Sequence, residues 1–208
     1  MNASDLLVAT RNAGKAAELA DIVADAFAGK VRSLVDVRDD GFEPDETGRT
    51  FRDNACQKAS AYAKHFGCHV LADDSGLSVD ALDGAPGVFS ARFAAMHGAG
   101  KGDADNNALL LKQLADVPDE RRGARFVCVL AIAGPSGRIL YTSEGDVRGT
   151  ILREPRGENG FGYDPLFLHA SGRTTAEMSP DEKHAVSHRG LASKRLKALL
   201  DQHGLPQL

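Results

Sequence analysis

Asp73 and Asp74 stand side by side and are followed at once by Ser75 and Gly76. Adjacent carboxylates repel unless a cation or hydrogen bonds offset the charge, and hard cations such as Mg²⁺ take oxygen ligands of this type. The acidic stretch from Asp39 to Gly48, which ends in Asp45-Glu46-Thr47-Gly48, offers another carboxylate from a distance. The competing reading is an Asx-turn in which the two Asp side chains cap backbone N–H groups.

A second set is Thr10-Arg11-Asn12-Ala13-Gly14-Lys15, placed where a short apolar run gives way to a helical pattern. A strand-to-helix turn presents free backbone N–H groups at a helix N-terminus, where anions bind. Gly14 would let the backbone come close, Thr10 and Asn12 add polar contacts, and Lys15 adds charge. This is not a Walker A loop, because Ala9 and Ala16 stand where the leading Gly and the Ser/Thr belong. An ordinary capped βα turn explains the same residues.

Two further sets lie near the C-terminus. Gly160-Phe161-Gly162-Tyr163-Asp164-Pro165 places two aromatics among glycines, which leaves a ring face open to a flat ligand or sends both rings into the core. Lys183 and Ser187-His188-Arg189-Gly190 form a local positive cluster beside a helix start, although a lone His is more often structural. The remaining histidines show no zinc-ligand spacing, and no G-x-S-x-G nucleophile elbow is present.

The elements that must position these residues follow from periodicity. Leu6 to Thr10 and Val31 to Val37 read as strands around a helix from Lys15 to Ala28, a β-α-β opening that favours a parallel pair. Phe51, Ala55, Ala59, Tyr62 and Phe66 recur at helical spacing, which predicts a helix over Thr50 to Phe66. Val70 to Ala72 reads as a strand that ends at the paired carboxylates. Asp103 to Leu114 reads as a helix, and Ala124 to Ala133 as the strongest strand. A Gly134–Gly137 turn then returns the chain along Arg138 to Ile151 as a hairpin. Ser179, Pro180 and Glu182 carry the signature of a capping box, and a last helix is expected from Leu191 to about His203. The pattern predicts a mixed sheet with helices at both ends of the chain.

Composition narrows the function classes. With 208 residues, 42% apolar and 26% charged, the chain is long enough to bury a core as one domain. Its formal charge of −4 is a poor match to nucleic acid, whose binding rests on neutralising phosphates with Lys and Arg. Three cysteines, Cys56, Cys68 and Cys128, form no C-x-x-C pair and read as buried thiols of a reducing compartment. Apolar runs are too short for a membrane span, and no leader pattern opens the sequence. A cytoplasmic protein is expected, with no membrane and no nucleic-acid partner.

The ordered combination is more specific than its parts. Thr10-x-Asn12-x-x-Lys15, Glu46-Thr47-Gly48 before Phe51, Asn54-Ala55-x-x-Lys58-Ala59 and Asp73-Asp74-Ser75-Gly76-Leu77 come first. Gly84-Ala85-Pro86-Gly87 before Ser90-Ala91-Arg92, Phe161-Gly162-Tyr163-Asp164-Pro165 and Ser187-His188-Arg189 follow. This set, spread from Leu6 to Leu200, resembles the Ham1/ITPase family of pyrophosphatases acting on non-standard purine nucleoside triphosphates. One local departure is Glu158-Asn159 before Gly160, where family members often carry smaller residues.

The resemblance implies an α/β fold: a central elongated mixed sheet flanked by helices, with two lobes around an active-site cleft. It implies one catalytic domain over residues 1–208, typically as a homodimer. It also implies Mg²⁺-dependent hydrolysis of ITP, dITP and XTP between the α- and β-phosphates, giving monophosphate and pyrophosphate. Carried over by motif, Thr10, Arg11, Asn12, Ala13, Gly14 and Lys15 would hold phosphates, supported by Lys58. Asp74 would accept the proton and, with Glu46, bind the metal, and Asp73 stands nearby. Ser75 would contact substrate, while Phe161, Gly162, Tyr163, Asp164, Lys183, His188 and Arg189 would form the nucleoside pocket.

Overall fold

The computed structural model describes residues 5–11, 13–24, 30–37 and 41–205. Its strands are β1 (Leu6–Val8), β2 (Val31–Ser33), β3 (His69–Val79), β4 (Gly123–Ala133), β5 (Ile139–Ile151) and β6 (Phe167–His169). They form a six-stranded mixed sheet in the order β2-β1-β3-β4-β5-β6. β1 runs parallel to both β2 and β3, whereas β5 and β6 are antiparallel. The helices are α1 (Ala13–Ala24), α2 (Phe51–Phe66), α3 (Phe93–Met96), α4 (Asp103–Gln113), α5 (Pro180–Val186) and α6 (His188–His203). The expected α/β class with a mixed sheet and flanking helices is what the chain adopts.

Two compact units divide the chain. The first comprises Met1–Asp74, Cys128–Gly145 and Leu191–Leu208; the second comprises Ser75–Val127 and Asp146–Gly190. Each has its own core. In the first, Leu6 and Val8 of β1, Leu19 and Val23 of α1, Leu130 and Ile132 of β4, and Leu196 and Leu200 of α6 pack together. In the second, Leu77 and Val79 of β3 join Phe93, Leu110, Phe126, Ile151, Tyr163 and Phe167. Each β1 residue is fully buried, as expected for an inner parallel strand with no alternating polar face.

Local chemistry sets most boundaries. Thr50 caps α2 by accepting a hydrogen bond from Asp53 N at 3.1 Å, and Gly67 ends the helix in the left-handed region at φ 63. Ser179 and Glu182 form the expected capping box of α5. β2 stops short of the anticipated Val37, because Asp36 accepts from both the N–H and the hydroxyl of Ser33 and turns the chain.

Two expectations near the candidate site are corrected. Asp73 and Asp74 do not follow a strand but lie within eleven-residue β3, so the Asx-turn reading fails. Apolar Val70 to Ala72 and Leu77 bracket the polar four residues, and buried neighbours on both sides carry the ladder through them. α6 likewise begins at His188 rather than Leu191, because the Ser187 hydroxyl accepts from Gly190 N at 3.1 Å and starts the helix earlier.

Cys68 and Cys128 are buried and Cys56 is half-buried, and all three are free thiols. Burial pushes the Cys68 thiol up to about 11. Among the described residues, no helix is long and apolar enough to cross a membrane.

Candidate active site

The first unit brings Lys15 of α1 and the carboxylates together. Thr10 follows β1, half-buried, and Ala13 and Gly14 open α1. Asn12 lies outside the described residues. Lys15, in the first turn of α1, reaches Asp73 of β3, with Nζ 3.0 Å from Oδ2. Asp73 is only 4% exposed, so this ion pair is largely removed from water. Arg11 turns elsewhere: it donates to the Phe42 carbonyl at 3.3 Å and meets Glu43 at 3.4 Å.

Lys58 projects from α2 and is mostly buried. Its Nζ lies 2.7 Å from Glu46 Oε1 and donates to the Asp73 carbonyl at 3.0 Å. Burial lowers its pKa, but Glu46, Asp73 and Asp74 together raise it more, so Lys58 stays charged. Asn54, fully buried on the same helix, accepts from Gly48 N at 2.8 Å and so fixes the end of the acidic segment.

Asp74 differs from its neighbour. Its Oδ2 is buried and has no hydrogen-bond partner. Burial pushes its carboxyl up to about 6; Lys58 pulls it down, and the charges of Glu46 and Asp73 push it up again. A carboxylate held near neutrality with a vacant oxygen is suited to accept a proton or to take a cation. Among the described residues, no group of three or more His, Cys, Asp or Glu is gathered as a ready metal site. Asp74 and Glu46 offer carboxylate oxygens, the donor type that a hard cation takes.

The second unit gathers the other sequence candidates. Asp164, 2% exposed, organises them: one oxygen accepts from Thr175 Oγ1 at 2.8 Å, and the other accepts from Phe161 N at 2.9 Å and pairs with Lys183. Gly160 leaves room for this, since a Cβ there would collide with the Asp164 carboxylate. The two aromatics of the loop part ways. Tyr163 enters the core and donates to the Ser90 carbonyl at 2.8 Å, whereas the Phe161 ring stays 49% exposed. Lys183 lies 4.6 Å from the centre of the Phe161 ring, and the Arg189 guanidinium 5.8 Å from it. Arg189 also contacts Ser75 Oγ at 3.4 Å.

His188 is buried and stacks on Phe126 of β4, with ring centres 4.8 Å apart and planes 12° from parallel. Gly162 is held by Asp103, which accepts its N–H at 2.6 Å, and by Asn107, which donates to its carbonyl at 2.9 Å. Asn159 is held on this loop: it donates from its backbone to Ala176 O at 3.0 Å and from its side chain to Met178 O at 3.2 Å.

Sequence reading missed Phe126 and Thr175. Phe126 sits in an apolar run with nothing to mark it, and Thr175 bears on the loop only through Asp164. Asn54 was visible in the Asn54-Ala55-x-x-Lys58 spacing, but its task of holding Gly48 was not.

The chain is an α/β protein whose first unit holds a lysine–carboxylate cluster and whose second unit sets two cations over the Phe161 ring. A model of the Ham1 family matches residues 6–199, and the chain belongs to that family. It is similar to the dITP/XTP pyrophosphatase of Exiguobacterium sibiricum, at 55% identity over 94% of this chain and 96% of that one. The dITP/XTP pyrophosphatase of Mycobacteroides abscessus is 50% identical over 94% of each chain. Among solved structures, a HAM1 protein from Coxiella burnetii superposes with a TM-score of 0.83 at 41% identity, over 95% of this chain and 98% of that one. The Staphylococcus aureus Ham1 protein gives 0.83 at 38% identity with the same coverage.

Proposed function

We propose that this chain is a nucleoside-triphosphate pyrophosphatase. It hydrolyses ITP, dITP and XTP to the monophosphate and pyrophosphate and so cleanses the nucleotide pool. The observation that carries the reading is Asp74, a carboxylate with a buried, vacant oxygen and a pKa raised to about 6, within reach of the Lys58 charge. Relatives named dITP/XTP pyrophosphatase support the substrate class.

In this reading Asp74 and Glu46 would hold Mg²⁺, whose charge would neutralise phosphate oxygens and polarise the reacting phosphoryl group. The chain's own groups do the rest. Thr10 to Lys15 present the N-terminus of α1 and the Lys15 ammonium to the phosphates. Lys58 meets the charge that grows on the pyrophosphate leaving group. One water is added across the α–β anhydride: its oxygen bonds to phosphorus, the bridging P–O bond breaks, and Asp74 takes the proton. No covalent nucleophile is required, since positioning and charge stabilisation carry phosphoryl chemistry generally.

The exposed face of Phe161 stacks the purine, and Gly162, Tyr163 and Asp164 shape the loop that presents it. Lys183, His188 and Arg189 supply donors that match the 6-keto oxygen of hypoxanthine or xanthine, and Ser75 contacts the substrate. Adenine offers an amino group there and would leave those donors unpaired, a mismatch worth up to about 10⁴-fold in selectivity. The whole chain, residues 1–208, acts as one catalytic domain in a cytoplasmic homodimer, with no nucleic-acid or membrane partner.

The test is a panel of nucleoside triphosphates, with and without Mg²⁺, in which pyrophosphate and orthophosphate are separately measured. Pyrophosphate released from ITP, dITP and XTP but not ATP, and only with the cation, is the expected result. Equal turnover of ATP would sink the pocket assignment, and orthophosphate as the product would sink the bond assignment.

A further inference from the structure

The segment from Gly41 to Gly48 contains no helix or strand, yet it delivers Glu46 to within 2.7 Å of Lys58. Two anchors bracket Glu46. On its C-terminal side, Gly48 N donates to Asn54 at 2.8 Å and Thr47 N to Gln57 Oε1 at 3.3 Å. On its N-terminal side, the anchor is Phe42. Its ring lies flat on His65, with centres 4.1 Å apart and planes 5° from parallel, and meets the Tyr62 ring edge-on at 5.5 Å. The Tyr62 hydroxyl donates to the Phe42 carbonyl at 3.3 Å, and that same carbonyl accepts from Arg11 at 3.3 Å.

From this we infer that Phe42 and Arg11 are positioning residues for the Glu46 carboxylate. The inference rests on the reading of Glu46 as a cation ligand given above. A flexible segment must lose conformational freedom to place one carboxylate, at a cost of about 1–2 kcal/mol for each residue fixed. Aromatic stacking on α2 meets part of that cost before any ligand arrives, and preorganisation of this kind raises affinity without adding a ligand contact. Arg11 adds a second constraint. It stands in the phosphate turn but spends its guanidinium on Phe42 and Glu43, so one carbonyl ties the turn to the carboxylate segment. Neither Phe42 nor Arg11 needs to touch the substrate.

Phe42→Ala and Arg11→Ala test this in the full chain, with Phe42→Tyr as the conservative partner. Mn²⁺ binding is read without turnover and without nucleotide, from the loss of the free ion's electron paramagnetic resonance signal as protein is added. Phe42→Ala is expected to weaken Mn²⁺ binding about tenfold, the low end for losing a group that orients a metal ligand. Arg11→Ala should do so severalfold, and Phe42→Tyr should restore parental binding. In a Glu46→Gln background, Phe42→Ala should change Mn²⁺ binding no further, which a merely structural effect would not reproduce. Unchanged Mn²⁺ binding in both alanine variants overturns the inference. Loss in the Glu46→Gln background equal to that in the parent overturns it too. A parent that binds Mn²⁺ but releases no pyrophosphate from any nucleotide fails the functional reading instead, so the two failures are distinguishable. Arg11 is exposed, so its variant keeps the test open even if Phe42→Ala folds poorly.

Discussion

In the first unit, opposite charges meet directly: Lys15 on Asp73 and Lys58 on Glu46, at 3.0 and 2.7 Å. In the second, two cations lie over an aromatic ring, and a single buried carboxylate, Asp164, fixes the loop that carries it. The first arrangement sets two lysines against three carboxylates and leaves one buried Asp74 oxygen without a hydrogen-bond partner. The second leaves an apolar face half-exposed. Charge that can be exchanged for a ligand's charge suits phosphate and a cation, whereas an open ring edged by donors suits a flat heterocycle. Division of labour follows: substitutions in the first centre should act on kcat, and those in the second on KM and base choice.

Asp74→Asn is the severest test of that division. It should lower kcat between about 10² and 10⁴-fold, the usual worth of a general base, with little change in ITP binding. It should also stabilise the fold at neutral pH. The Asp74 carboxyl binds its proton more tightly in the folded chain, at about 6, than at its ordinary 3.8. Stability therefore falls as pH rises through that window, and the full penalty applies above it. Shifts of this size correspond to at most about 3 kcal/mol, reduced by partial solvent access. A higher Tm than the parent at pH 7.5, with no gain at pH 4, is the expected calorimetric result. Stabilisation that persists at pH 4 would mean burial is not its source.

Phe161→Ala probes the other side with a smaller effect. Stacking of a base on an aromatic ring is worth about 1–3 kcal/mol, so KM for ITP should rise roughly tenfold or more while kcat holds. Because the ring is 49% exposed, Tm should stay within about 2 °C of the parent. A fall in kcat with KM unchanged would break the division of labour.

The sequence made some of this legible and hid the rest for physical reasons. Capping chemistry is local, so Ser179-Pro180-x-Glu182 marked the start of α5 well. The helical period placed α2, and hence Lys58, correctly. Strand length is not local: Asp73 and Asp74 look like a loop until Lys15, from another element, neutralises one of them inside the ladder. Pairings across the chain, such as Phe126 beneath His188 and Arg11 on Phe42, leave no spacing to read. Nor could the sequence separate the two aromatics of the Phe161-Gly162-Tyr163 loop, since both readings fit residues of the same type.

That separation yields the smallest and most selective prediction. Tyr163 is 3% exposed, and burial pushes its hydroxyl well above the ordinary tyrosine range. The hydroxyl therefore remains protonated and serves as a donor to Ser90 O. Ser90 also holds β3, since its own hydroxyl accepts from Leu77 N at 2.9 Å and donates to Gly87 O at 2.6 Å, with Gly76 making room. Tyr163→Phe removes one donor and leaves a carbonyl that already lies in a tight turn, at a cost of about 1 kcal/mol. That corresponds to a fall in Tm of roughly 2–4 °C for a chain of this size. Because the ring stays in the core, KM for ITP and the ITP-to-ATP ratio should move less than about twofold. A large change in either, with Tm unaltered, would place the Tyr163 hydroxyl on the nucleotide instead of in the core.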